Sequence, residues 1–456
     1  MTKPNILFLV IDSLRSDKIN EIHEKPKIPV IDSMKKNGIN FTNAITTNQY
    51  TAQVLQSIFS SRFLLDDNIT RQYYLSNNSN SNSFLTTLKK NGYFTCVTCQ
   101  EDVFLHGFKE KFDDITTVYK SEDNIYNGLK HTIFEKLESL TNPWFYYIHL
   151  EDLHIPCIVP KDFEHLNLSE RYDHNISQID GFIGEIIKKI DVDKTLIIIT
   201  ADHGEYISLA DGPLKEIEGM KTNVKKLVKN LIPNNFREQV HLKKQSLNRE
   251  IQANKVSKPN EKRKLSYKRE MLNNVLFDDI LNIPLIFYGY GIPSSKLISQ
   301  QISNIDIFPT IFDLIKIPNP TKNIHGQSLV PMMKNLDFKS IPLYLTSQAI
   351  IKQLQMNIKI NPNFSPVIGI RTNDFKYFRD YKNSEKNIHL YDLKIDPLEN
   401  ENVAHKNTEI IKNMELNIQN FEKNLVTSLI ENNNESKIDT DEDKKIRESL
   451  KKLGYI

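Results

Sequence analysis

Five short runs, built almost wholly from branched aliphatic and aromatic residues, constrain the fold of this chain more than any other feature. They are NILFLVID (5–12), GYFTCVTC (92–99), WFYYIHL (144–150), TLIIITAD (195–202) and IPLIFYG (283–289). A strand with one face in water alternates apolar and polar residues, whereas a run that is apolar throughout is buried on both faces. Segments with helical spacing lie between the runs: IPVIDSMKKNG (28–38), NSFLTTLKKNG (82–92) and ISQIDGFIGEIIKKI (176–190). The first two close on Asn-Gly, a signal for a helix C-terminus. Buried strands alternating with helices predict an α/β fold, a mostly parallel sheet flanked by helices. The 456 residues, 39% of them hydrophobic, suffice for a large core and for more than one typical domain.

In such a sheet, ligands bind beyond the carboxyl ends of the strands. Three of the runs end in residues able to bind ligands: Asp12; His149 with Glu151, Asp152 and His154; and Asp202 with His203. Any one of these fits a turn. Three strand ends together point to a site. Two carboxylates and an imidazole suit one divalent cation, Mn²⁺, Ca²⁺, Mg²⁺ or Zn²⁺. The polar loop before AQVLQSIFSS carries Thr51, at the start of a helix. A hydroxyl there meets the positive end of the helix dipole, and as a cation ligand it would become a nucleophile.

Composition narrows the partners. A formal net charge of +2 does not single out nucleic acid or membrane, and no apolar run approaches a membrane span. The first apolar stretch, ILFLVI, is six residues long and lacks a small-residue cleavage site, so a cytoplasmic protein is expected. Of the three cysteines, Cys96 and Cys99 lie in one strand-like run with side chains on opposite faces, and Cys157 is remote. Neither a disulfide nor a zinc site is expected.

The chain divides at about residue 335. Residues 1–335 hold the runs above, interrupted at 211–270 by an insertion of net charge about +9, which reads as a solvated segment or a basic lid gathering anionic substrates. Residues 336–456 read as a smaller α+β subdomain. There VIGIRTNDFKYFRDY and NIHLYDLKIDP suggest a small antiparallel sheet, and NTEIIKNMELNIQNFEKNLVTSLI a helix.

In order along the chain, PNILFLVIDSLRSDKI, YTAQVLQSIFSS, FYYIHLEDLHIPC, QIDGFIGEIIKKIDVDKTLIIITADHGE, LFDDILNIPLIFYG, NIDIFPTIFDLIKIP, HGQSLVPMM, IRTNDFKYF and LYDLKIDPLENENVA resemble the sulfatase family of the alkaline phosphatase superfamily. The resemblance covers nearly the whole chain. It implies a cation held by Asp12, Thr51, Asp202 and His203, with Thr51 attacking an ester and His154 assisting the leaving group. His149 is implied either in substrate contact or packed in its strand. Arg15 is expected to pair with Asp17, and Glu205 to stand behind the site. Sulfatases carry Cys or Ser followed by x-Pro-x-Arg and convert that residue to formylglycine. Here the stretch reads Thr51-Ala52-Gln53-Val54-Leu55, so no formylglycine is expected, and Ser13 stands where a second aspartate is common. Leu272 occupies a position often held by a cation, which Lys268 or Arg269 could replace as substrate-binding groups. The expected substrate is an anionic ester on a glycan or lipid head group, and the threonine fits phosphate better than sulfate. The alternative is a non-catalytic relative that binds an anionic glycan or a phosphorylated partner.

Overall fold

The computed structural model describes residues 3–20, 26–64, 84–101, 111–119, 123–207, 275–293, 296–320, 324–347 and 366–435. The basic insertion at 211–270, with Lys268 and Arg269, lies outside the described residues, as does Leu272.

The large sheet contains β1 (Asn5–Ile11), β2 (Ile39–Ile45), β3 (Phe94–Thr98), β4 (Trp144–Leu150), β5 (Thr195–Thr200), β6 (Asn282–Gly289), β7 (Lys296–Ile298) and β8 (Ile302–Ser303). Its order is β3-β4-β1-β5-β6-β2-β7, with β8 also paired to β2. Five of the seven pairings are parallel; β6 runs antiparallel to both β5 and β2, so the sheet is mixed. Every residue of β1, β4 and β5 is buried. That burial explains their unbroken apolar composition, because helices cover both faces.

The helices used below are α1 (Pro29–Asn37), α2 (Thr51–Ser60), α3 (Phe84–Lys90), α4 (Leu129–Ser139), α5 (Leu168–Lys188), α6 (Asp278–Leu281), α7 (Ile307–Leu314) and α8 (Thr408–Glu435). α5 starts earlier than its apolar spacing indicates, because Asn167 and Glu170 form a reciprocal capping box. Its Asp180 caps α1 from outside, accepting from Val30 N at 3.1 Å and Ile31 N at 2.7 Å. Phe59 of α2, Phe84 of α3 and Phe308 of α7 pack together with Phe8 and Tyr147 on one face of the sheet. No helix among the described residues is long and apolar enough to cross a membrane.

The two Asn-Gly helix ends differ. Gly92 has φ +79°, as a left-handed C-terminal glycine should. Gly38 is extended and runs straight into β2, and a Cβ there would stand 2.5 Å from the Phe287 carbonyl. Glycine is needed at 38 for close backbone approach and not for handedness.

A second, antiparallel sheet has the order β12-β11-β10-β9, from β9 (Leu343–Ser347), β10 (Val367–Arg371), β11 (Phe375–Asp380) and β12 (His389–Asp392). Met414 and Ile418 of α8 pack on its Ile368, Ile370, Tyr377 and Leu390. A buried ionic network joins this sheet to α6. Asp278 meets Arg371 and Lys376, each at 2.7 Å, while Glu399 accepts from Asp278 N at 2.7 Å and pairs with Lys376. Burial alone would raise the Asp278 carboxyl, but Arg371 and Lys376 outweigh it and hold it well below the usual carboxylate range.

Candidate active site

Sheet direction gathers the site. β1, β4 and β5 are parallel, so Asp12, the turn after Leu150 and Asp202 all emerge at one edge. Asp12 N donates to Leu150 O at 2.8 Å. Because β6 is antiparallel to β5 and β2 antiparallel to β6, β2 ends at that same edge, with Ile45 opposite Asn282. The chain then passes through residues 46–50 into α2, whose first residue is Thr51. Val54, Leu55, Ile58 and Phe59 bury the inner face of α2 in the main core and thereby fix its start. Leu55, where sulfatases carry arginine, is therefore a core residue.

The two carboxylates are held alike. Ser13 has a left-handed backbone, φ 64°. Its Oγ donates to Asp12 Oδ1 at 2.6 Å and its N donates to Asp202 Oδ1 at 3.2 Å. His203 N donates to Asp202 Oδ1 as well, at 2.8 Å. Each Oδ1 is thus occupied, and each Oδ2 faces the site. Asp12 Oδ2 is 3.3 Å from Thr51 Oγ1, which is 3.2 Å from His203 Nε2; that nitrogen is 3.2 Å from Asp202 Oδ2.

These atoms fit a cation. His203 Nδ1 faces the Gly204 carbonyl at 2.9 Å. A carbonyl only accepts, so Nδ1 carries hydrogen, and a neutral ring, the form that binds a cation, presents the Nε2 lone pair. That lone pair faces Asp202 Oδ2, which is buried and accepts no hydrogen bond among the described residues. Two lone pairs at this distance repel unless a positive charge lies between them. Ligand atoms of Asp12, Asp202 and His203 all lie within 4.8 Å of one another. Donors sharing one ion at roughly 2.1 Å stand about 3.0–3.4 Å apart, matching the separations above.

Neighbouring residues support this set. His149 is wholly buried in β4, with Nε2 3.4 Å from Asp12 Oδ2 and Nδ1 2.6 Å from Tyr147 OH. Burial lowers its pKa, but the hydrogen bond to Asp12 and the charges of Asp202, Asp12 and Glu151 bring it above the ordinary value. Tyr172 of α5 donates to Ser13 O at 2.6 Å and accepts from Arg15 N at 3.0 Å. The Arg15 guanidinium pairs with Asp17, as expected, and donates to the carbonyls of Glu205 and Ile207 at 3.3 and 3.1 Å. Glu205 accepts from Tyr206 N at 2.9 Å. Gly204 N donates to Ile280 O at 2.7 Å, and a Cβ on Gly204 would lie 2.4 Å from the Asp279 carbonyl, so α6 braces the Asp202–Gly204 turn. His154 lies in the half-buried turn after β4, its Nδ1 3.1 Å from Ile155 O. Asp152 accepts from Ile125 N at 2.9 Å, and burial raises its carboxyl to about 6; it anchors a loop. Cys96, Cys99 and Cys157 are buried free thiols.

Residues 4–317 match the family described as Sulfatase, more than half of the chain. The chain belongs to the sulfatase family. Residues 268–424 also match the family described as N-sulphoglucosamine sulphohydrolase, C-terminal. Arylsulfatase K of Bos taurus is 29% identical over 159 residues, 34% of this chain and 28% of its own length. Arylsulfatase K of Homo sapiens is 30% identical over 152 residues, 31% of this chain and 26% of its own. The match therefore spans less than a third of either relative. The phosphonate monoester hydrolase of Agrobacterium radiobacter shares the fold at a TM-score of 0.59 and 15% identity, covering 94% of this chain and 96% of the other. A protein solved in complex with its substrate D-glucosamine-2-N,6-O-disulfate does so at 0.60 and 14%, covering 96% and 100%. The mixed sheet with its antiparallel C-terminal companion is thus the sulfatase fold, and members of this family are metal-dependent.

Sequence reading missed Tyr147, Tyr172 and the active part played by Ser13. Tyr172 carries no local signal, since it meets Ser13 across 159 residues of chain, whereas Tyr147 stands two residues before the His149 that it bonds.

Proposed function

We propose that this sulfatase-family chain is a cation-dependent hydrolase or transferase of phosphate or sulfate esters, with Thr51 as its nucleophile. One observation carries the reading: Asp12 Oδ2, Thr51 Oγ1, His203 Nε2 and Asp202 Oδ2, from three separate stretches of chain, form a continuous series at 3.2–3.3 Å spacing. Asp12, Asp202 and His203 would hold one divalent cation, with Thr51 beside it. Such a cation lowers the pKa of an adjacent hydroxyl and neutralises charge on ester oxygens. Threonine cannot yield formylglycine, so its oxygen acts as it stands.

With its hydroxyl made more acidic beside the cation, Thr51 releases its proton to solvent water as Oγ1 bonds to phosphorus or sulfur and the ester oxygen departs. His154 hands a proton to that leaving oxygen. Water, or an acceptor alcohol in a transferase, then displaces the Thr51 oxygen and restores the hydroxyl. The N-terminus of α2 favours the anionic group next to Thr51. His149, fixed by Tyr147, holds Asp12 in place and does not itself need to touch substrate. Lys268 and Arg269 remain proposed as substrate contacts. A glycan or lipid head group bearing a phosphate or sulfate fits this chemistry, with phosphate preferred.

The test is turnover of aryl phosphate monoesters, phosphate diesters and aryl sulfates with added Mn²⁺, Ca²⁺, Mg²⁺ or Zn²⁺. Activity should vanish in both Thr51→Ala and Asp202→Ala, and Asp202→Ala should also lose cation binding by titration calorimetry. Turnover that survives Thr51→Ala would reject the threonine as nucleophile. The burial of Leu55 favours one other reading, a non-catalytic binder of an anionic glycan or phosphorylated partner, because α2 then sends no cation from that position towards the site. Absence of turnover with every ester and cation would support it.

A further inference from the structure

The segment that delivers Thr51 is fastened to the second sheet. Thr346 N, in β9, donates to Thr47 O at 3.0 Å, and Asn48 forms a parallel bridge with Thr346. The Asn48 side chain works in both directions. Its Nδ2 donates to Thr346 Oγ1 at 2.9 Å, and its Oδ1 accepts from Tyr50 N at 3.0 Å, one residue before Thr51. Gln49 Nε2 donates to Ser347 Oγ. Thr47, Asn48, Gln49, Thr346 and Ser347 are all buried.

The other side of the segment is tied to the end of α6, to the residue after β8 and to α2. Thr46 N donates to Leu281 O at 2.8 Å, and Thr46 Oγ1 accepts from Asn304 Nδ2 at 3.1 Å. Thr47 Oγ1 donates to Ser57 Oγ at 2.9 Å, inside α2. Residues 46–50 are therefore clamped between β9, about 300 residues away in sequence, and the end of α6 with the residue after β8. A buried polar clamp has little freedom, because each broken bond leaves a desolvated partner behind.

We infer that β9 forms the second wall of the cradle that aims Thr51, with Asn48 and Thr346 as positioning residues for the reaction at that hydroxyl. The C-terminal sheet then has a part in chemistry although none of its residues is among the site atoms. Thr51 Oγ1 sits 3.2–3.3 Å from its two partners, so a displacement of about 1 Å at Tyr50 would break both approaches. The inference rests on the reading of Thr51 as nucleophile.

The test compares the full chain with Thr346→Val, which keeps shape and removes the hydroxyl, and with Thr346→Ser, which restores it. Hydrogen exchange of residues 46–54, melting temperature, and kcat and KM on the best aryl ester are measured for each. Thr346→Val should speed exchange across 46–54, leave β1 and β5 protected, and lower kcat roughly tenfold at little-changed KM, with Thr346→Ser close to wild type. Wild-type exchange and kcat in Thr346→Val would overturn the inference, as would faster exchange with unchanged kcat. A merely structural role would lower the melting temperature without changing kcat of the folded enzyme. If wild type turns over no ester, or Thr51→Ala keeps turnover, the underlying reading of Thr51 fails. The exchange pattern still decides whether β9 holds the segment.

Discussion

Replacing Lys376 with methionine should destabilise the protein by about 3–5 kcal/mol at pH 7, the usual consequence of removing one partner from a buried charged pair. Lys376 Nζ is fully buried in β11 and reaches two carboxylates, Asp278 at 2.7 Å and Glu399. With Arg371, also on Asp278, the four groups are electrically balanced. Methionine fills nearly the same volume, so packing changes little and the lost charge dominates. The cluster is left with two carboxylates and one cation in a largely buried site.

The pH dependence sharpens the test. The folded Asp278 carboxyl lies below its unfolded value of about 4, so its stabilising contribution is present above that pH and is lost as pH falls through the lower folded value. In Lys376→Met one ammonium fewer opposes the carboxylates, and a proton taken up in acid relieves the excess charge. The gap between wild type and variant should be widest near pH 7 and narrow as pH falls below about 4, towards the lower folded value. Urea unfolding followed by far-ultraviolet circular dichroism measures it. Fluorescence of Trp144, the single tryptophan, buried at the start of β4, reports the large sheet separately. A loss under about 1 kcal/mol, or a gap that widens in acid, would refute the reasoning.

Two further outcomes test the frame around the site. Gly204→Ala places a Cβ 2.4 Å from the Asp279 carbonyl, a backbone atom that cannot swing away. It should cost about 1–3 kcal/mol and weaken Mn²⁺ or Zn²⁺ binding at least tenfold by calorimetry, whereas Gly181→Ala, on α5 with open space around it, should be neutral or slightly stabilising. Asp306 is buried, and burial raises its carboxyl to about 7 against the pull of the Gln327 and Ser303 N–H groups. Its folded pKa lies above the unfolded one, so its contribution is fully present below about pH 4 and is lost as pH rises through about 7. Asp306→Asn should flatten the melting temperature between pH 4 and 7, and an unchanged slope would reject that assignment.

What the sequence displayed follows from which forces are local. β1, β4 and β5 were legible because burial on both faces leaves few polar residues to interrupt them. Asp12, Asp202 and His203 were legible because strand direction places such residues at one edge. β2 was not read, although it carries the chain towards Thr51. Its register shifts between Phe41 and Ala44, and Thr42 and Asn43 break the alternation that would have marked it. Thr51 was legible as a hydroxyl at a helix start, and the resemblance aligned it with the family's nucleophile segment. It could not supply the groups that hold the site in place, since Tyr172, Thr346, Arg371 and Lys376 meet partners 93 to 298 residues away. Read singly, each is a surface charge, a strand polar residue or a packed tyrosine. The division near residue 335 separated two sheets in sequence, but contacts from α6 and residues 47–49 join them in space. The proposed site therefore lies at the edge of one sheet, and the segment that carries Thr51 is bonded to the other.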